Sequence, residues 1–206
     1  MSQTEVPPAG APPGMSRNPG RKRPVFAIGL SKTGTTSLHN ALIMLGYKSC
    51  HWRSNKFSEE TQQLIDSGAA ALPFEAYTNV ASVVASYEKL DRNFPSAVFI
   101  LTVRDLDDWL ASRTRHVNFN RALNDNGVKP AHTWVDIDPV GWRTERIVHH
   151  EAVFRYFQAR PGKLLVLDIA GGDGWPSLCR FLNCAVPAVP FPNVDPLSVW
   201  APQMTM

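Results

Sequence analysis

The segment from Pro24 to Leu38 constrains the fold more than any other part of this chain. An apolar, β-favouring run from Val25 to Ile28 leads into a short stretch that holds two glycines and four hydroxyl residues, and helical spacing of apolar residues follows. This order predicts a strand, a loop and a helix. Such a loop points successive backbone N–H groups into one concavity at the positive end of a helix, where a phosphate or sulfate group can bind.

The lysine of this loop is not where a nucleotide triphosphatase needs it. In the pattern G-x-x-x-x-G-K-[ST], Gly29, Gly34 and Thr36 are in register, but Thr35 occupies the lysine position. A kinase or hydrolase loop needs that lysine on the terminal phosphates, usually with Mg²⁺ nearby. Lys32 lies instead at the crown of the loop. We therefore expect Lys32 to act on a single leaving-group oxygen of the bound anion.

Strands alternate with helices along the rest of the chain. Strands are predicted at 25–28, 46–51, 69–72, 98–103 and 164–169, and helices at 38–45, 58–65, 79–94, 105–115, 141–159 and 177–182. This alternation predicts an α/β fold with three α/β/α layers and a mostly parallel central sheet. Together with the loop at 29–36, it leads us to expect a fold like that of the P-loop-containing nucleotide hydrolases. Ligands bind at the carboxyl ends of such strands, where Lys32, Glu75, Arg104 and Gly171 are expected.

Three segments resemble parts of one enzyme family. Residues 29–38 resemble the 5′-phosphosulfate loop of sulfotransferases that use 3′-phosphoadenosine 5′-phosphosulfate (PAPS). Val103-Arg104-Asp105, with Ser112 eight residues beyond Arg104, is similar to the 3′-phosphate-binding segment of that family. Residues 165–183 are similar to its closing strand and the helix that follows. The resemblance covers most of residues 24–192.

The resemblance departs from the cytosolic branch of the family in two places. Residues 171–174 contain no arginine or lysine, whereas that branch has a glycine-rich basic loop that completes the 3′-phosphate site. Ser37 stands where an aromatic residue often follows the threonines. Both departures place the chain nearer the small bacterial or carbohydrate-type sulfotransferases.

What the resemblance implies is transfer of a sulfuryl group from PAPS to a hydroxyl or amine of a small-molecule or carbohydrate acceptor, with no metal required. The implied nucleotide contacts are Ser31, Lys32, Thr33, Gly34, Thr35, Thr36, Arg104 and Ser112. Lys32 would neutralise the charge that develops on the bridging oxygen. Glu75 is the expected general base, since it follows the predicted strand 69–72, and His51 and His116 are alternatives.

Two other functions fit the same fold. One is a P-loop kinase or nucleotide hydrolase, against which Thr35 stands. The other is a non-catalytic protein that binds adenosine phosphates. The irregular segment 118–140 is predicted to be a lid that faces the substrate, and His149-His150-Glu151 is predicted to lie on a surface helix.

Composition divides the chain into a disordered Pro/Gly-rich basic arm (1–23), one domain (24–192) and an irregular tail (193–206). The first 24 residues account for the whole net charge of +3. The domain is therefore not broadly basic, and nucleic acid is not the expected partner. Three cysteines without metal-binding spacing, and no apolar run that approaches ~18 residues, predict a cytoplasmic protein without a membrane span.

Overall fold

The computed structural model describes residues 22–128 and 133–194. Its five strands are parallel and form one sheet in the order β2-β3-β1-β4-β5. The strands are β1 (Val25–Ala27), β2 (Ser49–His51), β3 (Ala76–Thr78), β4 (Val98–Thr102) and β5 (Leu164–Leu167). Phe26 of the central strand pairs with Tyr77 on one side and Phe99 on the other. The predicted parallel α/β sheet is confirmed.

Seven helices cover this sheet within the described residues. They are α1 (Thr35–Met44), α2 (Asn55–Asp66), α3 (Ala81–Ala85), α4 (Tyr87–Asn93), α5 (Leu106–Asp125), α6 (Pro139–Phe157) and α7 (Trp175–Leu182). Alternate residues of the central strands point to opposite layers. Phe26 and Phe99 pack against α2, α3, α4 and α6, whereas Val25 and Val98 pack against α1 and α7. Because both faces are covered, these strands are apolar throughout.

A third apolar cluster lies at the carboxyl end of β1. Leu30 packs there with Trp109 and Val117 of α5 and with Trp142 of α6. Leu30 belongs to the loop between β1 and α1, which we call the β1–α1 loop (residues 28–34). The long helices α5 and α6 therefore support this loop from one side.

The third strand is not where the sequence predicts it. The apolar run 69–72 forms no strand, and β3 is Ala76–Thr78. All three residues of β3 are buried between β1 and β2, and Tyr77 fills the core. The run 69–72 is mostly alanine, which has a low strand propensity and little side chain to bury. Pairing with two neighbours decides the position of this strand, and the predicted strand was wrong.

Two further differences from the prediction concern the start of α2 and the helix predicted over 79–94. Helix α2 begins at Asn55, before the predicted start at 58, because the Ser54 hydroxyl caps it by accepting a hydrogen bond from the Phe57 N–H at 3.1 Å. The single helix predicted over 79–94 is divided at Ser86, which lies between α3 and α4 and donates its hydroxyl proton to Gln62 Oε1 at 3.0 Å.

The predicted lid is largely helical at its start. Helix α5 continues to Asp125 because Val117, Asn120 and Leu123 are buried on its inner face. The Asn120 amide donates a hydrogen bond to the Trp134 carbonyl oxygen at 2.9 Å, which ties the segment that begins at residue 133 to helix α5. Residues 129–132 themselves lie outside the described residues, and so do 1–21 of the predicted arm and 195–206 of the predicted tail. Within the described ranges no helix is long and apolar enough to cross a membrane.

Candidate functional site

The β1–α1 loop crosses β4 so closely that only glycine fits at its start. A Cβ atom on Gly29 would lie 2.0 Å from Thr102 Oγ1 and 2.6 Å from the Thr102 carbonyl oxygen. At the other end, Gly34 has φ of 92°, a left-handed conformation that glycine adopts without steric cost. These two glycines fix the path that brings the loop to the first turn of α1.

The crown of the loop is held from two sides at Ser31. The Ser31 hydroxyl donates to Asn79 Oδ1 at 2.6 Å, and the Ser31 carbonyl oxygen accepts from Trp109 Nε1 at 2.9 Å. Lys32 follows with φ of 73°, which is unusual for a residue with a side chain. Two hydrogen bonds from outside the loop therefore support the strained backbone at this lysine.

The three threonines of the loop region do not face the same way. Thr33 is buried, and its hydroxyl donates to the Leu30 carbonyl oxygen at 2.6 Å. Thr35 is only 4% exposed in the first turn of α1. Thr36 is partly exposed, and its Oγ1 lies 3.4 Å from His51 Nε2. Thr36 thus offers the more accessible hydroxyl to an anion, while the Thr33 hydroxyl is already used in a hydrogen bond within the loop.

His51 stands at the carboxyl end of β2 with a defined tautomer. Its Nδ1 lies 2.9 Å from Thr78 Oγ1, and the Thr78 hydroxyl donates its one proton to the Cys50 carbonyl oxygen at 3.1 Å. The Thr78 oxygen must therefore accept a proton from His51 Nδ1. This assigns the lone pair to His51 Nε2, the nitrogen that faces Thr36.

Burial keeps this imidazole neutral. Burial first, and the neighbouring His39 second, lower the pKa of His51 from 6.5 to about 4. The His39 and His51 rings lie 5.5 Å apart, and His39 Nδ1 is 2.8 Å from Ser49 Oγ. Burial also lowers the pKa of His39. At neutral pH His51 is thus uncharged, and Thr78 of β3 holds its ring in place.

The predicted position of Glu75 is wrong. Glu75 precedes β3, so it lies at the amino edge of the sheet, whereas Lys32 lies beyond the carboxyl edge. Its carbonyl oxygen accepts a hydrogen bond at 2.8 Å from the N–H of Val25, the first residue of β1. Its carboxylate accepts from the Lys48 N–H at 2.8 Å. The displaced third strand is the cause, because Glu75 follows the predicted strand 69–72 but comes before the real one.

Arg104 and Ser112 occupy the region that the sequence predicts for them. Arg104 lies two residues beyond β4, and its carbonyl oxygen accepts from Arg146 Nη2 at 2.6 Å. The Arg104 Nε is buried and has no hydrogen-bond partner among the described residues. Ser112 is buried on the inner face of α5. The alternative base, His116, packs its ring on Trp134 at 4.8 Å.

Sequence reasoning missed three residues that support the loop: Asn79, Trp109 and His149. His149 Nε2 donates to the Ile28 carbonyl oxygen at 2.7 Å, immediately before Gly29. The predicted surface helix is α6, which is mostly exposed, but His149 itself is half-buried and faces β1. Of the three, only Asn79 could have been suggested by its residue type, since asparagine tolerates the left-handed backbone conformation that it adopts here, with φ of 55°. In 22–128 and 133–194 no three metal-ligating side chains gather into a group.

Comparison with known proteins identifies the family. The sulfotransferase domain family model matches residues 24–148 and 143–198. A protein of Aspergillus versicolor described as Ava biosynthesis cluster protein M is 25% identical over 211 residues, which covers 82% of this chain and 80% of that protein. The family match spans the β1–α1 loop, Arg104, Ser112 and His149. This chain belongs to the sulfotransferase domain family.

Proposed function

We propose that this chain transfers a sulfuryl group from PAPS to a hydroxyl or amine of a small-molecule acceptor. The supporting observation is the position of the loop lysine, which is at position 32 rather than at position 35. Thr35, where a nucleotide hydrolase loop has its lysine, is buried and uncharged. Lys32 instead lies at the crown of the loop, directly after Ser31, which forms hydrogen bonds with Asn79 and Trp109. A loop with this geometry suits one bridging oxygen better than a chain of terminal phosphates.

The donor would be held by groups that the loop already orients. Backbone N–H groups from Ser31 to Thr36 and the positive end of α1 would bind the 5′-phosphate. The first turn of α1 contains no acidic residue, and no side chain caps its N-terminus. The guanidinium of Arg104 is the candidate for the 3′-phosphate, with Ser112 as the second contact.

Two side chains would carry the transfer itself. The acceptor oxygen attacks sulfur, a new S–O bond forms, and the bond from sulfur to the bridging oxygen breaks with its electron pair left on the 5′-phosphate. Lys32 stabilises that developing charge. His51 Nε2 takes the acceptor proton, because it carries a lone pair and faces the first turn of α1, where the 5′-phosphate would bind. His51 thereby replaces Glu75 as the proposed base.

The experiment is a transfer assay without metal. Protein, PAPS and a mixed panel of phenols, alcohols, sugars and amines are incubated in excess chelator, and sulfated products and released nucleotide are measured by mass spectrometry. We expect acceptor-dependent release of 3′-phosphoadenosine 5′-phosphate (PAP) in step with a sulfated product. Cleavage of ATP with Mg²⁺, or nucleotide binding without any product, would contradict the proposal.

A further inference from the structure

A cleft lies along the outer side of β2, which is an edge strand of the sheet. We call it the β2 cleft. It is an open cleft of about 370 Å³, lined by His39, Ser49, Cys50, His51, Trp52, Arg53 and Phe74. This volume is within the range of small-ligand sites, and the wall combines aromatic faces with a few polar groups, as such sites do.

Three features of the wall indicate what it would bind. The Trp52 side chain is large and apolar, yet 58% exposed. The Arg53 guanidinium lies over the rings of Phe57 and Phe74, at 5.7 and 5.8 Å from their centres. None of the seven lining residues is acidic. The wall therefore offers a flat surface for stacking beside a positive charge.

Arg53 takes part in no ion pair among those found in the described residues. The Lys48 ammonium adds a second positive charge next to the cleft, 5.2 Å from the centre of the Phe74 ring. Glu75 is the adjoining acid, and its carboxylate is bound to the Lys48 N–H at 2.8 Å. A cation held against aromatic rings and facing a cleft is suited to a carboxylate or another planar anion.

His51 joins the cleft to the proposed chemistry. Its ring lines the wall, while its Nε2 faces Thr36 in the first turn of α1. Trp52 and Arg53 follow it directly in the chain, so the Cα atoms of His51 and Arg53 are at most about 7 Å apart. A single ring that carries a hydroxyl and an anion at separate positions could therefore contact two residues of the same wall.

We propose that the β2 cleft binds the acceptor, and that the acceptor is a planar hydroxy compound with an anionic group, such as an aromatic hydroxy acid. Its ring stacks on Trp52, its anion pairs with Arg53, and its hydroxyl faces His51. This assignment rests on the proposed sulfuryl transfer. It adds two residues that would determine specificity, Trp52 and Arg53.

The test compares matched probe pairs. Protein saturated with PAP is titrated with 4-hydroxybenzoate and 4-hydroxyphenylacetate, and in parallel with their methyl esters. A charge-assisted hydrogen bond corresponds to about tenfold or more in affinity, so each acid should bind at least about tenfold more tightly than its ester. Arg53→Gln should remove this preference, and Arg53→Lys should keep part of it. Arg180→Gln, at an exposed position of α7, is the control and should keep all of it.

Two results would overturn the assignment: equal affinity for acid and ester in the unchanged protein, or a preference that survives Arg53→Gln. PAP binding is measured separately for every variant and should not change. If PAP does not bind at all, the proposed function fails, and the same probe pairs titrated into nucleotide-free protein still decide whether Arg53 selects an anion.

Discussion

The β1–α1 loop and the β2 cleft are built in opposite ways. The loop is fixed by hydrogen bonds to Asn79, Trp109 and His149, which come from three separate parts of the chain. The cleft presents Trp52 and Arg53 directly after an edge strand of only three residues. A site for a constant ligand benefits from such pre-organisation, whereas a site on an exposed edge can change its specificity without disturbing the core.

The cleft contacts the first turn of α1, directly after the β1–α1 loop. His51 Nε2 lies 3.4 Å from Thr36 Oγ1, which is long for a hydrogen bond and leaves the nitrogen lone pair accessible. If the loop holds the donor and the cleft holds the acceptor, the reacting atoms must come together next to this pair. The predictions below test that division, from the largest expected effect to the smallest.

The largest effect should come from His51. His51→Gln should lower sulfuryl transfer by about 10² to 10⁴-fold, the usual contribution of a general base, while PAP affinity stays the same. Glu75→Gln is the matched comparison at the opposite edge of the sheet, and it should change transfer by about twofold or less. Both rates are measured with saturating PAPS. A large loss in the Glu75 variant with normal transfer in the His51 variant would reverse the assignment.

Lys32 should follow closely. Lys32→Met removes the charge and keeps most of the side chain, and it should lower the rate of transfer about 10² to 10³-fold with an unchanged melting temperature. Lys56→Met is the control, since the Lys56 side chain is 83% exposed on α2. Near-normal turnover in the Lys32 variant would refute its role at the bridging oxygen.

Arg104 should affect nucleotide affinity selectively. Arg104→Gln should weaken PAP binding by about 10- to 100-fold, because a charged hydrogen bond to the 3′-phosphate is lost. Binding of adenosine 5′-phosphate, which lacks that group, should change little. Calorimetric titration of both nucleotides measures the difference, and equal losses for the two would remove Arg104 from the site.

The smallest effect should come from the support of the loop. Trp109→Phe keeps an aromatic side chain but loses part of the buried indole and the Nε1 proton given to the Ser31 carbonyl oxygen, so transfer should fall about 2- to 10-fold. Trp175→Phe loses a similar bond, to the Val189 carbonyl oxygen at 2.7 Å, on the other face of the sheet. That control should lose comparable stability with no loss of transfer. Equal transfer in the two variants would show that Trp109 is only structural.

The β1–α1 loop was predictable because its constraints are local. Gly29, Lys32 and Gly34 are fixed by backbone conformation and close approach, which the order of residues alone reveals. The strand before the loop and the strand before Arg104 were equally clear, since central parallel strands are apolar on both faces.

The structure around the β2 cleft could not be predicted, because its constraints come from distant parts of the chain. Strand β3 is only three residues long, and its place depends on pairing with β1 and β2 rather than on its composition. One misplaced strand moved Glu75 to the wrong edge. The proposed role of His51 depends on Thr78, which the pairing of β2 with β3 brings beside it, so no single segment of sequence contains that information.

The most direct measurement is a calorimetric titration of this protein with PAP, run beside ATP with Mg²⁺. The position of Lys32 and the burial of Thr35 predict micromolar binding of PAP in the presence of chelator and much weaker binding of Mg-ATP. A preference for Mg-ATP would contradict the interpretation of the displaced lysine and support a nucleotide hydrolase or kinase. Absence of binding by either nucleotide would contradict the proposed donor site itself.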